Sequence, residues 1–117
     1  MSLGTIVFAM IAGLVHVAIF ALESLLFRSP FVRRTFGGRA GIPAAVDVWA
    51  FNQGFYNLFL AFGTFLGVAL GAQTLTLYAC AFMLGAAVVL VTSQRRLWRG
   101  ALVQGGPPLV ALLLAAA

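Results

Sequence analysis

The sequence is poor in charge, cysteine and histidine, and each shortage excludes a class of protein. Only 8% of its 117 residues are charged, whereas a soluble domain carries about 25%. The single cysteine, Cys80, excludes an internal disulfide and a CxxC zinc or redox site. The single histidine excludes a bis-histidine haem site within one chain. HExxH, GxSxG and P-loop patterns are absent from the sequence. We therefore assign no catalytic residue, metal or cofactor.

Long apolar stretches make up most of the chain. Apolar residues account for 63% of it, and the mean hydropathy is +1.11. A soluble core of this size could not cover so much apolar surface. We predict an all-α integral membrane protein, an antiparallel bundle of four transmembrane helices, with residues 1–117 as a single membrane domain. The predicted helices cover about residues 3–27, 44–70, 73–92 and 101–117, close to the ~20 residues that a span requires.

All seven cations are arginines, and they fall in two segments between predicted spans. They are Arg28, Arg33, Arg34, Arg39, Arg95, Arg96 and Arg99. No basic stripe marks a soluble helix, so the net charge of +5 does not predict nucleic-acid binding. The positive-inside rule places both segments in the cytoplasm and both termini outside, which predicts a multi-pass membrane protein. Arginines interleaved with apolar residues over 28–43 predict a segment lying against anionic lipid headgroups of the bilayer.

Two polar residues lie inside the first predicted span. His16 and Glu23 are seven residues apart, which puts them within about 20° of each other on an ideal helix. Polar groups in hydrocarbon are costly and call for partners. His16 is either a hydrogen-bonded packing residue or part of a site. Glu23 either pairs with an arginine such as Arg28 or belongs to the same site.

The second predicted span carries a larger polar group. Asn52, Gln53, Tyr56 and Asn57 cover about 140° of one helix face. This pattern is typical either of hydrogen bonds between helices or of a ligand site. Asp47 either caps this helix or pairs with an arginine. Gly54 permits a close backbone approach beside the amides.

The fourth predicted span begins with Gln104 and continues through Pro107 and Pro108. Because proline lacks an N–H, the carbonyls of Val103 and Gln104 lose their helical partners, which predicts either a kink or a broken helix lining a cavity. Depths at about 1.5 Å per residue place Glu23 level with Asn52 and Gln53, and His16 level with Tyr56 and Asn57. The predicted ligand-binding residues, in one pocket of the cytoplasmic half, are His16, Glu23, Asn52, Gln53, Tyr56, Asn57 and Gln104.

These residues carry a resemblance to a known family. The pattern consists of His16, Glu23, Pro30, Phe36, Gly37, Asn52, Gln53, Gly54, Tyr56, Asn57, Phe59, Leu60, Ala61, Gln104, Gly105 and Pro107. It resembles the bacterial domain-of-unknown-function family 1304, whose members are small membrane proteins of about this length. The resemblance implies that the protein lies in the bacterial cytoplasmic (inner) membrane. The chain has Ser24 where the family usually has methionine, and it has Phe55 where the family often has leucine. The resemblance implies no activity, but it implies that the polar residues named above are important.

Three functions are compatible with these patterns. The first is a protein that binds, or binds and transports, a small molecule or lipid in a polar intramembrane pocket. The second is a structural or assembly subunit of a membrane complex. The third is an intramembrane enzyme with His16 and Glu23 as acid and base, although no nucleophile or cofactor motif accompanies them. Ala81 and Gly85, four residues apart, also predict close helix packing in a homo-oligomer.

Overall fold

The computed structural model describes residues 1–117, except for the side chain of Ala40. The described residues form five α-helices and no strand. These are α1 (Leu3–Phe20), α2 (Pro30–Gly37), α3 (Val46–Ala69), α4 (Gln73–Ser93) and α5 (Trp98–Ala116). A π-helical turn, Ala21–Leu25, extends α1, and short 3₁₀ turns cover Gly38–Ala40 and Arg95–Leu97. The all-α prediction is confirmed, and the described residues contain one short helix, α2, in addition to the four long helices that we predicted as spans.

The additional helix, α2, lies in the segment that we predicted as an irregular connection. The Ser29 hydroxyl accepts a hydrogen bond from the backbone N–H of Val32, and Pro30 occupies the first turn, where its missing N–H costs nothing. Gly38 ends the helix with a φ of 58°, a backbone conformation that glycine adopts without strain. Ser29 and Pro30 therefore start α2 after the π-turn has ended at Leu25.

The four long helices pack so that each contacts two neighbours. α1 lies between α3 and α5, and α4 contacts the same two helices. Small residues bring the helices together: Ala9, Cys80 and Ala111 form one buried cluster. Any side chain at Gly67 would meet the Thr76 side chain, at 2.5 Å from a Cβ to Oγ1, so this glycine permits the close approach of α3 and α4 beside their connecting turn.

The contact between the end of α1 and the middle of α3 fixes the register of these two helices. The Ser24 hydroxyl donates to the carbonyl of Phe51 over 2.8 Å, and a Cβ on Gly54 would lie 2.0 Å from the Ser24 oxygen. The close approach predicted at Gly54 therefore exists. Asn57 lies level with Glu23, and it is the eleventh residue after Val46, where α3 begins. At 1.5 Å per residue, the start of α3 therefore lies about 16 Å along the helix from the level of Glu23. The space left beside the start of α3 is where a cavity forms.

Three helical segments are long and apolar enough to cross a membrane, which indicates a membrane protein. They are Leu3–Leu25, Gln73–Ser93 and Arg95–Ala116. The 24-residue α3 is not one of them, since its amides and Asp47 lower its hydropathy. The helix α5 continues through Pro107 and Pro108 without interruption. It starts at Trp98, three residues earlier than we predicted.

Candidate functional site

The two arginine-bearing segments meet at one end of the long helices. Arg96, from the connection between α4 and α5, donates to the backbone carbonyls of Thr35 and Phe36 near the end of α2. A cation at this position also interacts favourably with the carboxyl end of a helix. The second arginine segment therefore holds α2 in place, and both arginine segments lie on the same side of the molecule.

A second set of charges holds the first arginine segment against the start of α3. Asp47 pairs with Arg33 over 2.7 Å and with Arg28 over 3.4 Å. Arg33 also donates to the Ile42 carbonyl over 2.8 Å. Of the two roles considered for Asp47, pairing with arginine is the one observed. Among the described residues, Arg28 forms its salt bridge with Asp47 and none with Glu23.

A cavity of about 900 Å³ lies at this end of the molecule, between α3 and the connection from α4 to α5. Its walls come from the end of the π-turn, the carboxyl end of α2 with the segment after it, the first half of α3, and the start of the α5 segment. The lining residues are Glu23, Phe27, Phe36, Gly37, Gly41, Ile42, Pro43, Val46, Trp49, Ala50, Asn52, Gln53, Tyr56, Gln94, Arg96 and Leu97. The cavity is thus mostly apolar and aromatic, with polar groups contributed by the π-turn, α3 and the connection from α4 to α5.

Glu23 lies in the π-helical turn and faces this cavity. One carboxylate oxygen accepts a hydrogen bond from the Asn57 amide over 3.0 Å, and the same amide nitrogen donates to the Gln53 carbonyl over 3.1 Å. A π-turn changes the direction of the side chains that follow it and is frequent at functional sites. Glu23 also lines a smaller cavity of about 400 Å³, together with Arg28 and Asp47. The carboxylate therefore separates the large cavity from the charged network.

Three polar residues of α3 line the large cavity with Glu23, as predicted. They are Asn52, Gln53 and Tyr56. Their side chains are exposed, and the Tyr56 side chain is directed away from the helix interface. Within the described part of the chain, these two side-chain amides and this hydroxyl make no hydrogen bond to another protein group. Their hydrogen-bonding capacity is therefore available to a molecule in the cavity.

His16 occupies a different position from the one predicted. Its side chain is fully buried, and its Nδ1 pairs with the Ala12 carbonyl over 2.9 Å. The other ring nitrogen, Nε2, has no hydrogen-bond partner among the described residues. His16 does not line the cavity, and Asn57 lies level with Glu23 rather than with His16. The predicted pocket containing both His16 and Glu23 is therefore not what the structure forms.

Gln104 is also absent from the described lining of the cavity, and the start of α5 explains why. Because α5 begins at Trp98 rather than Ala101, Gln104 lies about one turn further from the arginine-bearing end than we predicted. The α5 segment instead contributes Arg96 and Leu97 to the cavity. Trp49 was not predicted as a lining residue, although its spacing of four residues from Gln53 places both on one helix face.

Among the described residues, no group of three or more histidine, cysteine, aspartate or glutamate side chains comes together. The cavity instead combines aromatic side chains with one carboxylate, three amides, a phenol and the Arg96 guanidinium. Such a combination can bind a molecule that has an apolar body and a hydrogen-bonding group at one end.

Comparison with known proteins identifies a family but no activity. The model of the family described as "Protein of unknown function (DUF1304)" matches residues 10–116, which confirms the resemblance. No curated protein and no solved structure matches the chain.

Proposed function

The chain belongs to this family of proteins of unknown function, and we propose from the residues of its own site that it binds a small amphipathic molecule in the 900 Å³ cavity. The observation that carries the proposal is the set of polar side chains on α3 that face the cavity without a protein partner. A subunit with a purely structural role has no need for unpaired amides beside an open space. An enzyme using His16 and Glu23 together is disfavoured, since only Glu23 lines the cavity.

The binding proposal predicts a stoichiometric ligand on the protein extracted from its own membranes. Native mass spectrometry is expected to show one retained molecule of a few hundred daltons, a size that suits the cavity volume. The double variant Asn52→Leu, Gln53→Leu is expected to lose it, because neither amide of α3 remains to bind the polar end. A matched pair on the outer face of α3, Phe59→Leu with Phe62→Leu, is expected to retain it. A bare protein mass, or equal retention by both double variants, would contradict the proposal.

We further propose that α3 also crosses the membrane, so that four antiparallel spans place both termini outside the bacterial cytoplasmic membrane. Its 24 residues have a length of about 36 Å, enough for the hydrocarbon core. It packs between α1 and α4, two of the apolar segments. The positive-inside rule assigns the end bearing both arginine segments to the cytoplasm, where anionic lipid headgroups can bind the exposed arginines.

This topology is tested by labelling single cysteines in a Cys80→Ala background. Ser2→Cys and Ala117→Cys are expected to react with a membrane-impermeant maleimide from outside, and Ser93→Cys only after the membrane is permeabilised. The protein with Cys80 as its one cysteine is the unreactive control, since that side chain is fully buried. Termini on opposite sides would show that α3 does not cross. External labelling at Ser93 would show the reverse orientation.

Self-association remains a prediction. Ala81 and Gly85 lie on the exposed side of α4, and a Cβ on Gly85 would meet no atom within 4 Å. This surface is therefore available for close packing against a second copy.

A further inference from the structure

We propose, as an extension of the binding function above, that the ligand carries a protonated amine and that Glu23 is its counter-ion. The chemical class of the ligand follows from the partners that the charged side chains around the cavity already have. An amphipathic amine has a cationic end for the carboxylate and an apolar body for the aromatic wall.

The charged side chains among the described lining residues are Glu23 and Arg96. Arg96 directs both terminal nitrogens to the carbonyls of Thr35 and Phe36, at the carboxyl end of α2. Two of its five N–H donors thus hold a neighbouring helix. A ligand anion would have to compete with those two carbonyls for this guanidinium.

Glu23 has no such protein partner for its charge. Asn57 donates one hydrogen bond to one oxygen, whereas a carboxylate accepts about four. The nearby cations Arg28 and Arg33 both contact Asp47 instead. A carboxylate inside a membrane span without a cation is costly, so a positively charged ligand supplies what this segment of the chain lacks.

The residues around Glu23 match an ammonium group. The amide oxygens of Asn52 and Gln53 and the Tyr56 hydroxyl are acceptors on the cavity wall, and an ammonium group has three hydrogens to donate. The exposed Trp49 ring can contact both the cation and its apolar body, whereas the Phe27 ring already has the Arg33 guanidinium 5.7 Å from its centroid. A carboxylate or phosphate ligand would place its charge on the same side as Glu23 and would be repelled.

Three water-soluble probes of nearly the same shape test the inference: 4-phenylbutylamine, 4-phenylbutan-1-ol and 4-phenylbutyrate. Binding is measured by the fluorescence of Trp49 in the full-length Trp98→Phe protein, in phosphatidylcholine nanodiscs at neutral pH. The amine is expected to bind about tenfold more tightly than the alcohol, and the carboxylate more weakly than both, because a charge-assisted hydrogen bond is stronger than a neutral one.

The variant Glu23→Gln is expected to weaken amine binding about tenfold and alcohol binding much less. Gln53→Glu, at an exposed position, is expected to increase the preference for the amine, and it tests the inference even if Glu23→Gln does not fold. Equal binding of amine and alcohol, or an unchanged amine affinity in Glu23→Gln, would overturn the amine inference while the binding function stands. Failure of all three probes to saturate would overturn both.

Discussion

Replacing Asn57 by leucine is expected to lower the free energy of unfolding by about 2–3 kcal/mol, because the variant leaves the Glu23 carboxylate without its donor. Asn57 is buried, and its amide also donates a hydrogen bond to the Gln53 carbonyl. Hydrogen bonds to a charged group are among the stronger ones in proteins. Equilibrium unfolding in mixed micelles, followed by far-ultraviolet circular dichroism, measures the change.

Two further variants show whether the carboxylate is the cause. Asn52→Leu alters an exposed amide of the same helix that has no partner among the described residues, so its stability is expected to stay within about 0.5 kcal/mol of the original. The double variant Glu23→Leu, Asn57→Leu removes both partners and is expected to be more stable than Asn57→Leu alone. If Asn57→Leu is instead as stable as Asn52→Leu, another donor already satisfies Glu23.

These variants separate two roles that amides on one helix can play. Asn57 joins α3 to the π-turn and belongs to the scaffold, whereas Asn52 and Gln53 face the cavity. The sequence pattern could not separate them, because all three lie within the same 140° arc of an ideal helix. The distinction depends on which part of that arc meets Glu23, and only the packing of α1 against α3 determines it.

The hydropathy pattern predicts the long helices because the backbone polar groups of a segment in lipid must be hydrogen-bonded within the protein, and a helix satisfies them within the segment itself. It also predicts the common side of the arginine segments, which the contact from Arg96 to α2 confirms. Gly54 was identified as a point of close approach for the same kind of reason. A glycine among large residues of a span permits the close approach of a neighbouring helix, and here the approaching residue is Ser24.

The details of the site depend on features that no simple periodicity contains. The π-turn at Ala21–Leu25 adds a residue to one turn, so the 100° per residue that placed His16 and Glu23 on one face does not hold between them. The early start of α5 moves Gln104 away by about a turn. Both errors are small along the chain, but each is enough to take a side chain out of a cavity.

His16 gives the second large effect, and its expected sign is opposite to that of Asn57. Replacing His16 by leucine is expected to raise the free energy of unfolding by about 1–2 kcal/mol, because a buried polar atom without a partner costs about this much. Nε2 is such an atom within the described structure, while Nδ1 bonds only within its own helix, to Ala12. Leucine has a similar volume and brings no polar group.

The control for this substitution is Met83→Leu, another change at a fully buried position. It is expected to cost less than about 1.5 kcal/mol and measures the effect of repacking alone. Binding of 4-phenylbutylamine is expected to be unaffected by His16→Leu, because His16 does not line the cavity. A loss of more than 2 kcal/mol together with weaker amine binding would mean that Nε2 bonds to a molecule extending from the cavity into the helix core. His16 would then belong to the binding site, as its place in the sequence first indicated.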